Sequence, residues 1–115
     1  MSQRIVIAED ETDIRVNLTR LLSLEGYEVW AAPNGRTAFD LVRQHLPDLV
    51  LSDVMMPEMT GHALVQAMRA NSLTAHIPTV LLTAKADRSD LREGMNLGAD
   101  DYLTKPFQRD ELLDC

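Results

Sequence analysis

Cysteine is nearly absent from the chain, whose one thiol belongs to Cys115. No internal disulfide can form, which favours a reducing compartment, and the cytoplasm is the simplest assignment. Long apolar runs are also missing: no segment approaches the roughly 20 apolar residues that span a bilayer. Residues 1–4 do not open a signal peptide with a long apolar region. We therefore expect a cytoplasmic protein with no membrane segment.

Positive charge is scarce relative to negative charge. Eleven Lys and Arg residues stand against 18 Asp and Glu residues, giving a formal net charge of -7. This balance repels the phosphate backbone that dominates nucleic-acid affinity, so we expect no direct nucleic-acid binding by this segment. The 45% hydrophobic and 25% charged composition is ordinary for a globular protein, and the length of 115 residues suits one domain over residues 1–115.

Five short apolar segments rich in Val, Ile and Leu lack strict alternation. This pattern is typical of strands that are buried on both faces of a parallel sheet. Amphipathic stretches that predict helices separate the segments. Five alternations of strand and helix predict a doubly wound α/β domain with helices on both faces of the sheet. The predicted strands are residues 5–8, 29–31, 49–51, 79–82 and, more weakly, 102–104.

Several predicted helices have recognisable ends. Gly26 can end the first helix in a left-handed conformation, and Asn34 can cap the second, whose apolar stripe extends to Leu46. The third is followed by a long connection, residues 70–78, which we expect to be a surface loop. A fourth helix precedes the fifth strand. The last helix, residues 108–115, is truncated at about two turns, which is marginal for a terminal helix.

Polar side chains follow the predicted strands. The first strand leads into Glu9, Asp10 and Glu11 and the third into Asp53, whereas the fourth ends at Thr83 and the fifth at Lys105. In an open parallel sheet, ligands bind outside the carboxyl ends of the strands. A cluster of carboxylates, one hydroxyl and one ammonium are therefore expected to converge on one edge of the sheet.

The acidic loop after the first strand argues against a flavin or dinucleotide site. Such a site cradles phosphate with glycines and backbone amides, whereas Glu9 and Asp10 would repel phosphate unless a cation intervened. Carboxylates held close together repel one another and favour a divalent cation. Mg²⁺ suits these oxygen ligands and retains waters that a phosphate-bearing partner can displace, with Mn²⁺ as a possible substitute.

Each of these residues also has a simpler explanation when it is taken alone. Asp10 could serve a helix N-terminus, Asp53 could cap a turn before Pro57, and Lys105 could be a solvated surface charge. Four strand ends that carry complementary groups for one reaction nevertheless favour a functional site.

The order and spacing of these groups resemble the receiver domains of bacterial response regulators. The matching segments are IAEDE at residues 7–11, DVMMPEMTG at 53–61, LTA at 82–84 and YLTKPF at 102–107. The resemblance implies a flavodoxin-like sheet of order 2-1-3-4-5. It also implies a phosphoacceptor switch in a two-component system or phosphorelay. The phosphoryl group would come from a sensor histidine kinase or a histidine phosphotransfer protein.

The same resemblance implies roles for individual residues. Asp53 would be the phosphoacceptor, and Asp10, Asp53 and the backbone carbonyl of Met55 would bind Mg²⁺ directly. Glu9 would act mainly through a metal-bound water. Because phosphoryl transfer needs positioning and neutralisation of charge on the transferring oxygens, these roles are physically reasonable.

The other two strand ends would complete the site and its response. Thr83 and Lys105 would hold phosphoryl oxygens, and the Lys105–Pro106 peptide bond would be cis. Thr83 and Tyr102 would form the switch that changes the surface offered to an output domain or a downstream protein. A homodimer is also possible.

A phosphotransferase of the haloacid dehalogenase type is the main alternative, because it too forms an aspartyl phosphate with Mg²⁺. Its general acid usually lies two residues beyond the nucleophile, where this chain has Met55, which cannot donate a proton. We therefore expect catalysis only of the chain's own phosphorylation and dephosphorylation. A pseudo-receiver that only binds partners is disfavoured because the acidic pair, the acceptor and the lysine are all present.

Overall fold

The computed structural model describes residues 3–54, 56, 58–83 and 101–104, with the backbone alone for residues 83 and 101–104. The strands are β1 (Arg4–Ala8), β2 (Glu28–Ala32), β3 (Leu49–Asp53), β4 (Thr79–Thr83) and β5 (Asp101–Thr104). They form one parallel sheet of order β2-β1-β3-β4-β5, which confirms the predicted flavodoxin-like order.

Three helices connect these strands in the part of the chain that the structure describes. They are α1 (Thr12–Leu24), α2 (Gly35–His45) and α3 (Gly61–Ala70). Among the described residues, no helix has the length and the apolar character that are needed to cross a membrane. The predicted fourth helix and the truncated last helix lie outside the described residues.

The side chains of β1 alternate between the two faces of the sheet. Ile5 and Ile7 pack with residues of α1, whereas Val6 and Ala8 pack with residues of α2 and α3. All four are buried, and full burial of a Val or Ile side chain contributes about 1.5–3 kcal/mol. The apolar segments therefore form strands covered on both faces, which confirms the doubly wound arrangement.

The predicted C-terminus of α1 and the predicted N-terminus of α2 are confirmed. Gly26 follows the C-cap of α1 with φ +95°, a conformation that favours glycine, and its N–H donates to the Ser23 carbonyl oxygen at 3.1 Å. Asn34 caps α2, because its side-chain oxygen accepts from the Thr37 N–H at 2.8 Å.

Leu46 does not extend the buried stripe of α2, so that expectation is wrong. It is the C-cap residue, it adopts the left-handed conformation at φ 48° and ψ 64°, and 45% of its surface is exposed. Its N–H donates to the Val42 carbonyl oxygen at 2.8 Å. The left-handed turn carries its side chain away from the helix stripe.

The connection between α3 and β4 is only partly a surface loop. Leu73 is 62% exposed, but Thr74 and Ile77 are buried. The Thr74 hydroxyl donates to the Met68 carbonyl oxygen at 2.7 Å, near the end of α3. The segment therefore folds back and helps to close the core.

Trp30 lies on the edge strand β2 and is half-buried. Its ring stacks on the ring of His45 with centroids 4.0 Å apart, and the Arg4 guanidinium lies 5.0 Å from the indole centroid. Arg4 also approaches the Glu28 carboxylate at 3.9 Å. These contacts join the last residue of α2 to the edge of the sheet.

Candidate functional site

The pairing of β1 with β3 brings two acidic residues to the same edge of the sheet. The strands are parallel and adjacent, with Ala8 opposite Ser52. Glu9 follows Ala8 and Asp53 follows Ser52, so Glu9 and Asp53 lie side by side at the carboxyl ends of these strands. The sequence prediction that these strand ends converge is confirmed.

Three carboxylates form a cluster at this edge. One carboxylate oxygen from each of Glu9, Asp10 and Asp53 lies within 4.8 Å of the others. Glu9 is buried, Asp53 is partly buried and Asp10 is exposed, so the cluster reaches from the protein interior to solvent. Three hard oxygen donors held this closely fit a divalent cation such as Mg²⁺.

The backbone of Glu9 is held from two sides. Its N–H donates to the Ala32 carbonyl oxygen of β2 at 3.0 Å, and its carbonyl oxygen accepts from Arg15 Nη1 at 2.8 Å. The Glu11 N–H donates to Glu9 Oε1 at 3.3 Å. The turn that carries two of the three carboxylates is thus hydrogen-bonded to β2 and to α1.

Asp53 is held by its own strand end and by the start of α3. Its Oδ1 accepts from the Val54 N–H at 2.9 Å, and the Ser52 hydroxyl donates to its carbonyl oxygen at 2.9 Å. The Val54 N–H also donates to the Leu82 carbonyl oxygen of β4 at 3.1 Å. The Gly61 N–H donates to the Val54 carbonyl oxygen at 2.9 Å. The carboxylate is therefore positioned by neighbouring backbone groups.

Two glycines allow the segment between β3 and α3 to pack tightly. A Cβ atom on Gly61 would lie 2.3 Å from the Asp53 carbonyl oxygen, and one on Gly35 would lie 2.2 Å from the Met59 carbonyl oxygen. In the connection from β3 to α3, Glu58 has φ 66°. The N-terminus of α3 thus packs against the end of β3, and the N-terminus of α2 packs against Met59, at distances that a side chain at either glycine would prevent.

Thr83 ends β4, as predicted, whereas Tyr102 is the second residue of β5 and does not lie at the end of that strand. Leu82 pairs with Asp53, so Thr83 is one residue further along β4. In β5, Tyr102 pairs with Leu81 of β4, two residues before the pair of Thr83 with Thr104. The backbone register therefore puts Thr83 next to the end of β3.

Other predicted positions lie outside the described residues. These are Met55, Lys105 and the Lys105–Pro106 peptide bond. Two described residues with a part in this arrangement were not predicted: Arg15, which contacts the Glu9 carbonyl, and Gly35, which packs against Met59. Arg15 falls on the helical stripe of Leu18 and Leu22, and no local pattern sets it apart from other helical arginines.

A doubly wound sheet of this order, with three carboxylates at its carboxyl edge, defines a flavodoxin-like domain suited to metal-dependent phosphoryl chemistry. A family model described as the response regulator receiver domain matches residues 5–115. The chain belongs to this family.

Curated relatives cover most of this chain but extend well beyond it. A probable transcriptional regulator, ycf27, from Galdieria sulphuraria is 46% identical over 110 residues, which are 96% of this chain and 42% of that protein. Histidine kinase P4 from Formosa agariphila is 42% identical over 108 residues, 94% of this chain and 8% of that protein. The chain thus spans less than half the length of these relatives.

Solved receiver structures have the same fold. The chemotaxis protein CheY4 of Vibrio cholerae has a TM-score of 0.94 and 33% identity, over 99% of this chain and 95% of that one. The receiver domain of the Pseudomonas aeruginosa sensor histidine kinase PA1611 has a TM-score of 0.91 and 29% identity, over 99% and 93%. That second structure holds a magnesium ion in its active-site cleft.

Membership of this family establishes the class of function. Receiver domains are phosphoacceptor switches of two-component signalling, and they work with histidine kinases and output domains. The match also decides between receiver and haloacid dehalogenase in favour of the receiver.

Proposed function

We propose that Asp53 accepts the phosphoryl group and that the chain signals through the resulting change of shape. The observation that carries the proposal is the approach of the Glu9, Asp10 and Asp53 carboxylates to within 4.8 Å at the carboxyl edge of the sheet. Asp53 is the member of this cluster that ends β3, the strand next to β4. It pairs with Leu82, the residue before Thr83. A phosphoryl group on Asp53 would therefore adjoin both the acidic cluster and the end of β4.

The donor set of the cluster supports Mg²⁺ as the cofactor, with Mn²⁺ as a substitute. Asp10, Asp53 and the Met55 carbonyl oxygen would hold the ion directly, and Glu9 would act through a bound water. The magnesium ion in the PA1611 receiver supports the same assignment. When bound, the ion supplies positive charge that offsets the carboxylates and the incoming phosphoryl oxygens.

The chain's own residues supply the nucleophile and hold the transferred group. An Asp53 carboxylate oxygen attacks phosphorus while the bond from phosphorus to the donor breaks, and its electron pair leaves with the donor atom. The donor atom is a histidine nitrogen in a kinase or a phosphotransfer protein. The Thr83 hydroxyl and the Lys105 ammonium would hold phosphoryl oxygens, which positions them for in-line transfer.

Residues 1–115 would then form a single receiver domain that catalyses only its own phosphorylation and dephosphorylation. Its partners would be a sensor histidine kinase or phosphotransfer protein and an output domain or downstream protein, with homodimerisation possible. The net charge of -7 supports a role without direct nucleic-acid contact. The scarcity of cysteine supports a cytoplasmic location.

Modification by a small phosphoryl donor tests the proposal. Incubation with acetyl phosphate and MgCl₂ should add one phosphoryl mass to the intact chain, and chelation of the metal should prevent it. Asp53→Asn should abolish the modification. Asp40→Asn is the matched control, because Asp40 is an exposed residue of α2 that pairs with Arg43, and it should be modified like the parent. Undiminished modification of Asp53→Asn would disprove the acceptor assignment.

A further inference from the structure

Arg15 contacts both ends of the turn that carries Glu9 and Asp10. Its backbone N–H donates to the Glu11 carbonyl oxygen at 2.9 Å, and its Nη1 donates to the Glu9 carbonyl oxygen at 2.8 Å. Asp10 lies between these two carbonyl groups in the chain. One residue of α1 therefore fixes the turn on either side of an exposed member of the acidic cluster.

We propose that Arg15 is a positioning residue for this site, whose guanidinium holds Glu9 and Asp10 in the arrangement that binds the divalent cation. The inference rests on the proposed function and extends it to a residue outside the carboxylate cluster. Arg15 acts through the backbone of the turn, because within the described part of the chain its side chain donates to a carbonyl oxygen and to no carboxylate.

The base of the Arg15 side chain is itself well anchored. Arg15, Leu18 and Leu22 follow one another at helical spacing on α1, so they share a face of the helix. Leu18 and Leu22 are 4% and 2% exposed in the cluster that covers β1 and β3. A charged donor on a fixed helix makes a stronger and better directed hydrogen bond than a mobile surface side chain does.

A positioning role and a purely electrostatic role for Arg15 predict opposite effects of its removal on Mg²⁺ affinity. If Arg15 acted only as a positive charge near three carboxylates, its removal would reduce repulsion of Mg²⁺ and tighten binding. If it holds the turn, its removal loosens two of the carboxylates and weakens binding, as loss of groups that orient metal ligands does. The sign of the change therefore identifies the role.

Calorimetric titration of the intact chain with MgCl₂, without any phosphoryl donor, measures this sign. Arg15→Met removes the donors and keeps an unbranched side chain, and we expect an affinity about tenfold weaker than that of the parent. Arg15→Lys keeps a charged donor but lacks the planar guanidinium, and its affinity should fall between the two. Arg20→Met is the matched control, because Arg20 is an exposed residue of α1 and its loss changes net charge equally.

The rate of modification by acetyl phosphate gives a second readout. The Mg²⁺ concentration for half-maximal rate should rise in Arg15→Met, whereas the rate at saturating Mg²⁺ should match that of the parent. If Arg15 only stabilised the fold, a folded Arg15→Met would show a lower saturating rate with an unchanged half-maximal concentration, and that result would overturn the proposal.

Equal or tighter Mg²⁺ binding by Arg15→Met also overturns the proposal. If this variant does not fold, Arg15→Lys decides alone, and parental affinity in it is the overturning result. A parent that binds Mg²⁺ but is not phosphorylated would contradict the proposed function and leave the calorimetric comparison valid. A parent that binds no Mg²⁺ contradicts the positioning role itself.

Discussion

The carbonyl oxygen of Asp53 lies 2.3 Å from the point that a Cβ atom on Gly61 would occupy. The same hypothetical atom would lie 3.0 Å from Val54 Cα. Both neighbours are backbone atoms at the end of β3, so no side chain can rotate to relieve the overlap. The first turn of α3 can approach the acidic cluster this closely only because Gly61 lacks a side chain.

Gly61→Ala should damage both the fold and the site. The overlap must displace α3 or the end of β3, and we expect a loss of about 1–3 kcal/mol in the free energy of unfolding, as for other overpacked positions. The Mg²⁺ concentration required for phosphorylation should also rise, because Asp53 moves with its backbone. Urea unfolding and phosphorylation rates at limiting Mg²⁺ measure the two effects.

Gly26→Ala is the control for this substitution. A Cβ atom on Gly26 would meet nothing within 4 Å, but its φ of +95° costs an alanine about 1–2 kcal/mol. This variant should therefore lose comparable stability while keeping the parental Mg²⁺ dependence. An equal shift in Mg²⁺ dependence in both variants would show that the effect of Gly61→Ala comes from lost stability.

Asp10→Asn should weaken Mg²⁺ binding more than Glu9→Gln does. Both substitutions preserve shape and remove one negative charge, so each is the control for the other. If Glu9 acts through a metal-bound water, as proposed, its loss should cost about tenfold in affinity, and the loss of a direct ligand at Asp10 should cost more. Calorimetric titration measures the difference, and equal losses would contradict the direct and water-mediated roles.

Thr83→Ala should separate modification from response. Asp53 should still accept a phosphoryl group, because the acidic cluster is unchanged. The amide signals of residues 88–101 should shift less, because the hydroxyl that would follow the phosphoryl oxygens is missing. Amide chemical shifts with and without beryllofluoride measure this response, and Thr83→Ser is the control that keeps the hydroxyl. A full response from Thr83→Ala would rule out this route.

Asn34→Ala should lower the free energy of unfolding by about 1 kcal/mol, because the first turn of α2 loses the oxygen that accepts from the Thr37 N–H. Asn34→Asp keeps an acceptor, so its free energy of unfolding should differ from that of the parent by only a few tenths of a kcal/mol. Urea denaturation measures both. A parental midpoint for Asn34→Ala would show that the cap contributes nothing.

The sequence predicts the architecture well where local chemistry and chain order decide the outcome. All five described strands coincide with the predicted apolar segments, and Asn34 and Gly26 mark helix ends because capping and left-handed turns depend on a few neighbouring residues. Glu9 and Asp53 could be placed together because parallel strands end at the same edge of a sheet.

Features that depend on contacts between distant residues were not predictable from local patterns. Leu46 continues the apolar spacing of α2, but the chain turns into a left-handed conformation there. Thr74 lies in a polar connection, and its burial depends on the end of α3. Gly35 is an ordinary helix-start glycine until Met59 approaches it. Arg15 became informative only when the fold brought it to the Glu9 carbonyl.

The single tryptophan gives the protein a built-in optical probe of one region. Trp30 pairs with Val6, three residues before Glu9, and stacks on His45 at the far end of α2. Three residues of strand separate Val6 from the acidic cluster by about 10 Å along the sheet. Indole emission should therefore change when β2 and α2 separate on unfolding, and it should stay constant while the cation site fills. One fluorescence titration can thus distinguish a loss of folded protein from binding of the cation.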